Sequence, residues 1–103
     1  MYNVTYLPLA RQDMVDIVRY VSRNLDNLQA AGRLAKQFVD AIDRLAEFPY
    51  SAMAYHPIRP LHHEYRKLTV KNYCVFYWVD EEKKQVTVAR VIYGKRSVNR
   101  LLE

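Results

Sequence analysis

The sequence has 103 residues, half of them hydrophobic, with two glycines and four prolines, which indicates one folded domain and excludes a disordered chain. Its one cysteine, Cys74, excludes an intrachain disulfide and a cysteine-rich metal cluster, and no apolar run is long enough to span a bilayer. The net charge of +5 comes from residues 56–103, with ten basic side chains against five acidic ones, which favours a polyanionic or acidic partner for that half.

The first half of the sequence predicts one strand and two helices. Residues 2–7 alternate as a strand does, and Pro8 suits the first turn of a helix. Apolar stripes at helical spacing then run through residues 9–25 and 28–47. The short link between them predicts an antiparallel helical hairpin, and Gly32 would let the two helices approach closely.

The second half predicts a long loop and a three-stranded antiparallel meander. Residues 49–63 keep neither helical nor strand spacing. Strands are expected at 64–70, 73–79 and 85–93, and the second is apolar on both faces and therefore central. Residues 98–103 allow a short terminal helix. The fold class is thus α+β in the order β-α-α-β-β-β, with both helices on one face of the sheet and the other face left for the loop, the terminal segment or a second molecule.

Basic side chains along the first meander strand form a candidate nucleic-acid site. Alternation places Tyr65, Lys67 and Lys71 on the open face, with Leu68 and Val70 toward the helices. Amines and guanidiniums gathered on a sheet can hold phosphates and stabilise charge that develops on a phosphoryl group. A solvated surface that only aids solubility is the alternative interpretation. The basic candidates are Arg66, Lys67, Lys71, Arg90, Lys95 and Arg96.

The loop before this strand holds the candidate acid–base groups. His62 and His63 are adjacent, so in an extended chain they point to opposite sides and at most one reaches the open face. That histidine would serve as a general acid or base, and a surface histidine without a role is the alternative. The three histidines lack metal-site spacing and neither glycine belongs to a phosphate-binding loop, so we expect no metal and no cofactor.

Four short motifs follow one another in a specific order: AIDRLAEFP at 41–49, YRKLTV at 65–70, NYCVFY at 72–77 and RVIYGKR at 90–96. In this order the chain resembles the RelE/ParE superfamily of toxins from type II toxin–antitoxin modules, over nearly its whole length. The resemblance implies a cytoplasmic toxin and a cognate antitoxin as partner, which the charge predicts to be acidic. RelE-like members cut messenger RNA on the ribosome without a metal, whereas ParE-like members poison DNA gyrase and are not nucleases.

The nuclease pattern is only partly kept. The resemblance assigns Lys67 to a strand lysine of the family and Arg96 to the arginine of its G-K-R segment, both of which would contact the phosphate. Cys74 replaces an expected arginine, and a thiol cannot hold a phosphate as a guanidinium does.

Leu102 replaces the family's C-terminal tyrosine, so Tyr65, His63 or Tyr93 would have to supply acid–base catalysis. We expect ribosome-dependent cleavage of messenger RNA, with the ribosome and message as partners. Gyrase inhibition without nuclease activity is the alternative, and a binding module whose only partner is its antitoxin is a third interpretation.

Overall fold

A computed structural model describes residues 1–57, 61–94 and 101–102. Within these ranges the elements are β1 Asn3–Tyr6, α1 Pro8–Arg23, α2 Leu28–Asp43, β2 Met53–Ala54, β3 Arg66–Val70, β4 Tyr73–Asp80 and β5 Gln85–Tyr93. The strands form one sheet in the order β1-β5-β4-β3-β2, with β4 in the centre as predicted. The α+β class and the antiparallel meander are confirmed. Because β1 runs parallel to β5, the sheet as a whole is mixed.

Both helices begin where the sequence predicts them. Pro8 occupies the first turn of α1, where its missing N–H costs no helical hydrogen bond. The Asn27 side chain caps α2 by accepting a hydrogen bond from the Ala30 amide at 3.0 Å. The α-helix ends at Asp43 rather than at residue 47, because Arg44–Ala46 tightens into a 3₁₀ turn.

The two helices do not meet at Gly32. This glycine is exposed, and a Cβ built on it would meet no atom within 4 Å, so the expectation of a close helix approach there is wrong. The buried contacts of the hairpin come instead from its apolar stripes, with Val21 on α1 and Ala31 and Leu34 on α2.

The helices cover one face of the sheet, as predicted. Phe38 and Ile42 of α2 are fully buried in one cluster with Val75 and Tyr77 of β4 and Val88 of β5. The Tyr77 hydroxyl donates to a backbone carbonyl at 2.7 Å, so its one polar group is satisfied inside the core. This cluster is the main hydrophobic core of the domain.

The loop after the hairpin is more regular than predicted. Met53 and Ala54 form β2, with Met53 opposite Lys67 on β3, and a two-residue strand is too short for its period to show in the sequence. Of the predicted terminal helix, Leu101 and Leu102 are helical and residues 98–100 and 103 lie outside the described residues. In the described part of the chain, no helix is long and apolar enough to cross a membrane.

Candidate functional site

Strand β3 places the predicted residues on two faces, as its alternation requires. Leu68 and Val70 pack into the helix-side core, while Lys67 and Thr69 are exposed on the other face of the sheet. Both assignments were predicted from the sequence. Lys71 follows in the turn with a φ of 54°.

Lys67 and Lys71 border a shallow depression of about 300 Å³, together with Thr69 and Asn72. We call Lys67, Lys71 and Asn72 the basic rim. The thiol of Cys74 lies at the same depression, beside Gly94 at the end of β5. Lys95 and Arg96, which the sequence predicts to join this site, lie outside the described residues. In the described part of the chain, the rim therefore offers two amines that an anion could bind.

Arg90 is tied into the fold rather than directed at solvent. Its Nε and Nη2 donate to the two carboxylate oxygens of Asp13 on α1, at 2.7 and 2.9 Å, and its Nη1 donates to the Leu101 carbonyl at 2.9 Å. The hydrogen bond to Asp13 raises the pKa of Arg90 above its ordinary value. A register shift between β4 and β5, where Phe76 pairs with Arg90 and Tyr77 with Val88, gives this part of β5 its orientation.

Arg66 is engaged on the helix-covered face. Its Nη1 donates to the Ala52 carbonyl at 2.7 Å, and its guanidinium lies 4.8 Å from the centre of the Tyr50 ring. Both contacts hold the loop of residues 50–54 against the sheet. A phosphate would have to compete with them for this side chain.

The face of the sheet opposite the helices is largely apolar. Tyr65, Cys74, Phe76 and Ile92 form a second buried cluster there, and Leu102 covers it. The expectation that lysines and arginines gather on this face is wrong for the described residues, where Lys67 is exposed at its edge and Arg90 is paired. The loop and the terminal leucines cover this cluster, as the sequence analysis allowed, although the covering pieces are too short to show a periodicity that would single out this alternative.

The acid–base candidates lie in a separate groove. The imidazole of His63 stacks on the indole of Trp78, with ring centres 3.6 Å apart and planes 3° from parallel, and the Tyr65 ring meets Trp78 edge-on at 5.8 Å. With Tyr50 and Tyr55 these rings line a groove of about 730 Å³. We call Tyr50, Tyr55, His63, Tyr65 and Trp78 the aromatic groove. Lys67 lines the other depression, so the structure separates it from the predicted catalytic residues His63 and Tyr65, while Arg96 lies outside the described residues.

Tyr93, the third acid–base candidate, turns to the helix-covered side of the sheet. Its ring meets that of Tyr73 at 5.8 Å, and Tyr73 in turn packs on Phe38 of α2 at 5.7 Å. Burial raises the pKa of Tyr73. Although its ring packs on Tyr73, Tyr93 also lines the depression that Lys67 and Lys71 border, so it is the acid–base candidate that lies with the basic rim.

Sequence reasoning missed the role of Glu81 at the β4–β5 turn. Its carboxylate accepts hydrogen bonds from the hydroxyls of Tyr2 and Tyr50 and from Lys84. Hydrogen bonds from Lys84, Tyr2 and Tyr50 lower the pKa of Glu81 to about 2, and the bond to Glu81 raises that of Tyr50 to about 12. The two tyrosines are far away in sequence, so no local pattern could have revealed this junction.

Comparison with known proteins places the chain in a family. A model of the ParE toxin of the type II toxin–antitoxin system, parDE, matches residues 4–98. A chain of the chromosomal ParDE system from P. aeruginosa superposes with a TM-score of 0.73 at 16% identity, covering 90% of this chain and 96% of that one. No functionally curated protein matches significantly.

Two RelE-type complexes share the fold. A chain of the RelBE2 toxin–antitoxin complex from Mycobacterium tuberculosis gives a TM-score of 0.64 at 20% identity, over 89% of this chain and 90% of that one. A chain of the archaeal RelE–RelB complex from Pyrococcus horikoshii gives 0.62 at 13% identity, over 93% and 98%. Because the family model covers almost the whole sequence, the chain belongs to the ParE toxin family of type II toxin–antitoxin systems.

Proposed function

We propose that this toxin stops growth by binding and inhibiting DNA gyrase in the cytoplasm, and that it does not cleave RNA itself. The observation that carries the proposal is the separation of Lys67 from His63 and Tyr65, which line different depressions. The match to the ParE model supports the same conclusion. Gyrase inhibition, the alternative activity in the sequence analysis, is therefore our first choice.

Metal-independent cleavage of RNA needs several groups at one phosphate. A base must take the 2′-hydroxyl proton, an acid must protonate the leaving oxygen, and cations must stabilise the charge between them. Here His63 is stacked on Trp78, and Tyr65 is only 6% exposed. Arg90 is occupied by Asp13 and Leu101, and of the three acid–base candidates only Tyr93 lines the depression of Lys67 in the described part of the chain.

Ribosome-dependent cleavage of messenger RNA remains the second candidate, because one observation favours it. Lys67 and Lys71 are both exposed at one depression, beside Asn72, and the sequence continues from Gly94 into Lys95 and Arg96. Amines so placed suit the phosphates of a nucleic acid. In that case the ribosome and its message would be the partners.

Induced expression of the toxin with two parallel readouts tests the proposal. Supercoiling by purified gyrase should fall in the presence of the toxin, while mapped ends of cellular messages should stay unchanged. Lys67→Ala is the informative variant, and Lys83→Ala, an exposed lysine at the β4–β5 turn, is its matched control. New message ends that disappear in Lys67→Ala but persist in Lys83→Ala, with supercoiling unaffected, would overturn gyrase inhibition and establish cleavage.

We further propose a cognate antitoxin as the protein's neutralising partner, since solved structures of similar fold come from toxin–antitoxin complexes. The net charge of +5 favours an acidic antitoxin segment. Because salt screens such attraction, the affinity of the complex should fall between 0.05 and 0.5 M salt, on the order of tenfold or more. An affinity independent of salt would contradict a charge-led interface.

A further inference from the structure

The aromatic groove is walled by rings in fixed mutual geometry. His63 covers Trp78 at 3.6 Å, Tyr65 meets the same indole edge-on, and Tyr55 packs edge-on against the buried Phe76 at 5.3 Å. These contacts hold the rings before any partner arrives, so little side-chain entropy remains to be lost on binding. Aromatic side chains of this kind concentrate binding energy in protein interfaces.

Two hydrogen-bond donors among the groove residues lack an acceptor in the described part of the chain. Among the described residues, neither the indole N–H of Trp78 nor the hydroxyl of Tyr55 has a hydrogen-bond partner, although both side chains are partly buried. An indole N–H or a tyrosine hydroxyl usually finds a hydrogen-bond partner when it is buried. A ligand that supplies carbonyl oxygens would satisfy both groups.

The charge of the groove disfavours a nucleic acid. In the described lining, Arg66 is the sole arginine or lysine, and it already contacts Ala52 and the Tyr50 ring. The carboxylates of Glu64 and Glu81 line the same groove. A phosphate backbone would therefore meet the carboxylate of Glu64 and no uncommitted cation of this set, while Glu81 is already paired with Lys84, which contrasts with the basic rim.

We propose that the aromatic groove binds an extended, proline-containing segment of a partner protein. Proline offers a carbonyl oxygen and no N–H, and it therefore matches the indole N–H of Trp78 and the hydroxyl of Tyr55, which lack an acceptor among the described residues. Its flat apolar ring packs on aromatic walls, and the polyproline II conformation is already extended before binding. The groove lies apart from the basic rim, and this inference does not depend on gyrase being the target.

Trp78 makes the proposal directly measurable, because it is the only tryptophan in the chain. The full-length toxin is titrated with a ten-residue polyproline peptide while tryptophan fluorescence is recorded. A glycine–serine peptide of equal length and an eight-nucleotide single-stranded DNA serve as competing probes. We expect a saturable fluorescence change with polyproline alone. A change with the oligonucleotide but not with polyproline, or no saturable change up to millimolar peptide, would overturn the proposal.

Variants then locate the bound peptide. Tyr55→Phe removes the hydroxyl donor and keeps the ring on Phe76, and it should weaken polyproline binding about threefold to tenfold. Tyr20→Phe is the matched control, because Tyr20 is an exposed tyrosine on α1 that does not line the groove. Circular dichroism checks that both variants fold. Equal weakening by the two substitutions, or none by Tyr55→Phe, would place the peptide elsewhere and refute the assignment.

Discussion

The two faces of the sheet are buried by different means. On one face, a helical hairpin of two 16-residue helices covers Val75, Tyr77 and Val88. On the other, a loop and the terminal Leu101 and Leu102 cover a smaller cluster around Phe76. Regular elements thus bury the larger core, and short irregular pieces complete the smaller one. Such pieces contribute few backbone hydrogen bonds of their own, so the second face depends on side-chain contacts for its stability.

The largest expected effects test whether the cluster on the face opposite the helices is a true hydrophobic core. Phe38 and Phe76 are both fully buried, one on each face. Phe38→Ala and Phe76→Ala should each lower the free energy of unfolding by about 3–5 kcal/mol, since each leaves a cavity of one ring. Urea unfolding followed by circular dichroism measures both changes.

An exposed phenylalanine provides the control for this pair. Phe48 is 60% exposed, and Phe48→Ala should change the stability by less than about 1 kcal/mol. If Phe76→Ala behaves like Phe48→Ala and unlike Phe38→Ala, the face opposite the helices is solvated and the comparison between two cores fails.

The next effect concerns the link between the two faces. Asp13 lies on α1, and its carboxylate holds Arg90, which in turn holds the Leu101 carbonyl over the second cluster. Asp13→Ala leaves a mostly buried guanidinium unpaired, which should cost about 3 kcal/mol of stability. Because Asp13 no longer holds Arg90 in place, the bond from Arg90 to Leu101 should weaken, and the buried thiol of Cys74 should react faster with a thiol reagent in the native protein.

The exposed pair Lys36–Asp40 on α2 is the matched control for this link. Asp40→Ala should cost less than about 1 kcal/mol and leave the reactivity of Cys74 unchanged, since surface ion pairs contribute little. Equal effects of Asp13→Ala and Asp40→Ala on either measurement would show that Arg90 does not connect the faces.

Periodicity explains why the sequence predicted the first face well and the second face poorly. The stripes of α1 and α2 and the apolar run of β4 repeat over many residues, so their partners could be inferred from spacing. The cover of the second face comes from Tyr55, Leu61 and two terminal leucines, which have no shared period. The alternation of β3 located Lys67 and Leu68 correctly, but alternation does not indicate what lies above each face.

In the candidate site, too, the sequence predicted what depends on local spacing and missed what depends on tertiary contacts. Lys67 was placed from local spacing alone, whereas the fates of Arg66 and Arg90 depended on contacts with Ala52, Asp13 and Leu101. Contacts of Arg90 with α1 span more than seventy residues of sequence, and those of Glu81 with Tyr2 do likewise. Such tertiary partners cannot be read from one sequence without its fold.

A smaller, pH-dependent effect concerns the junction at Glu81, which ties β1 and the loop to the β4–β5 turn. Its folded pKa of about 2 lies below the ordinary value of 4.5, so the folded state favours the ionised carboxylate. The resulting stability is present above pH 4.5 and is lost as the pH falls toward 2. Glu81→Gln should therefore lower the urea midpoint at pH 7, and its difference from wild type should vanish near pH 2. A difference that persists unchanged at pH 2 would contradict this assignment. The exposed Glu82, which follows it in the same turn, provides Glu82→Gln as the control.

The smallest effect compares the chain's two glycines, one on each side of the domain. Gly32 lies in the exposed middle of α2 with open space around its missing Cβ, so Gly32→Ala should stabilise the protein by about 0.5–1 kcal/mol through helix propensity. Gly94 ends β5 beside the second cluster, where a Cβ would lie 3.2 Å from the Asn72 carbonyl oxygen and 3.6 Å from the Cys74 sulfur. The Gly94 amide also donates to that carbonyl at 2.9 Å, so the oxygen cannot move away freely. Gly94→Ala should therefore destabilise the protein. In thermal unfolding, Gly32→Ala should raise the melting temperature and Gly94→Ala should lower it, which distinguishes the open helix surface from the packed end of the sheet. Two shifts of the same sign would show either that Gly32 is not in open space or that Gly94 is not packed against Asn72 and Cys74.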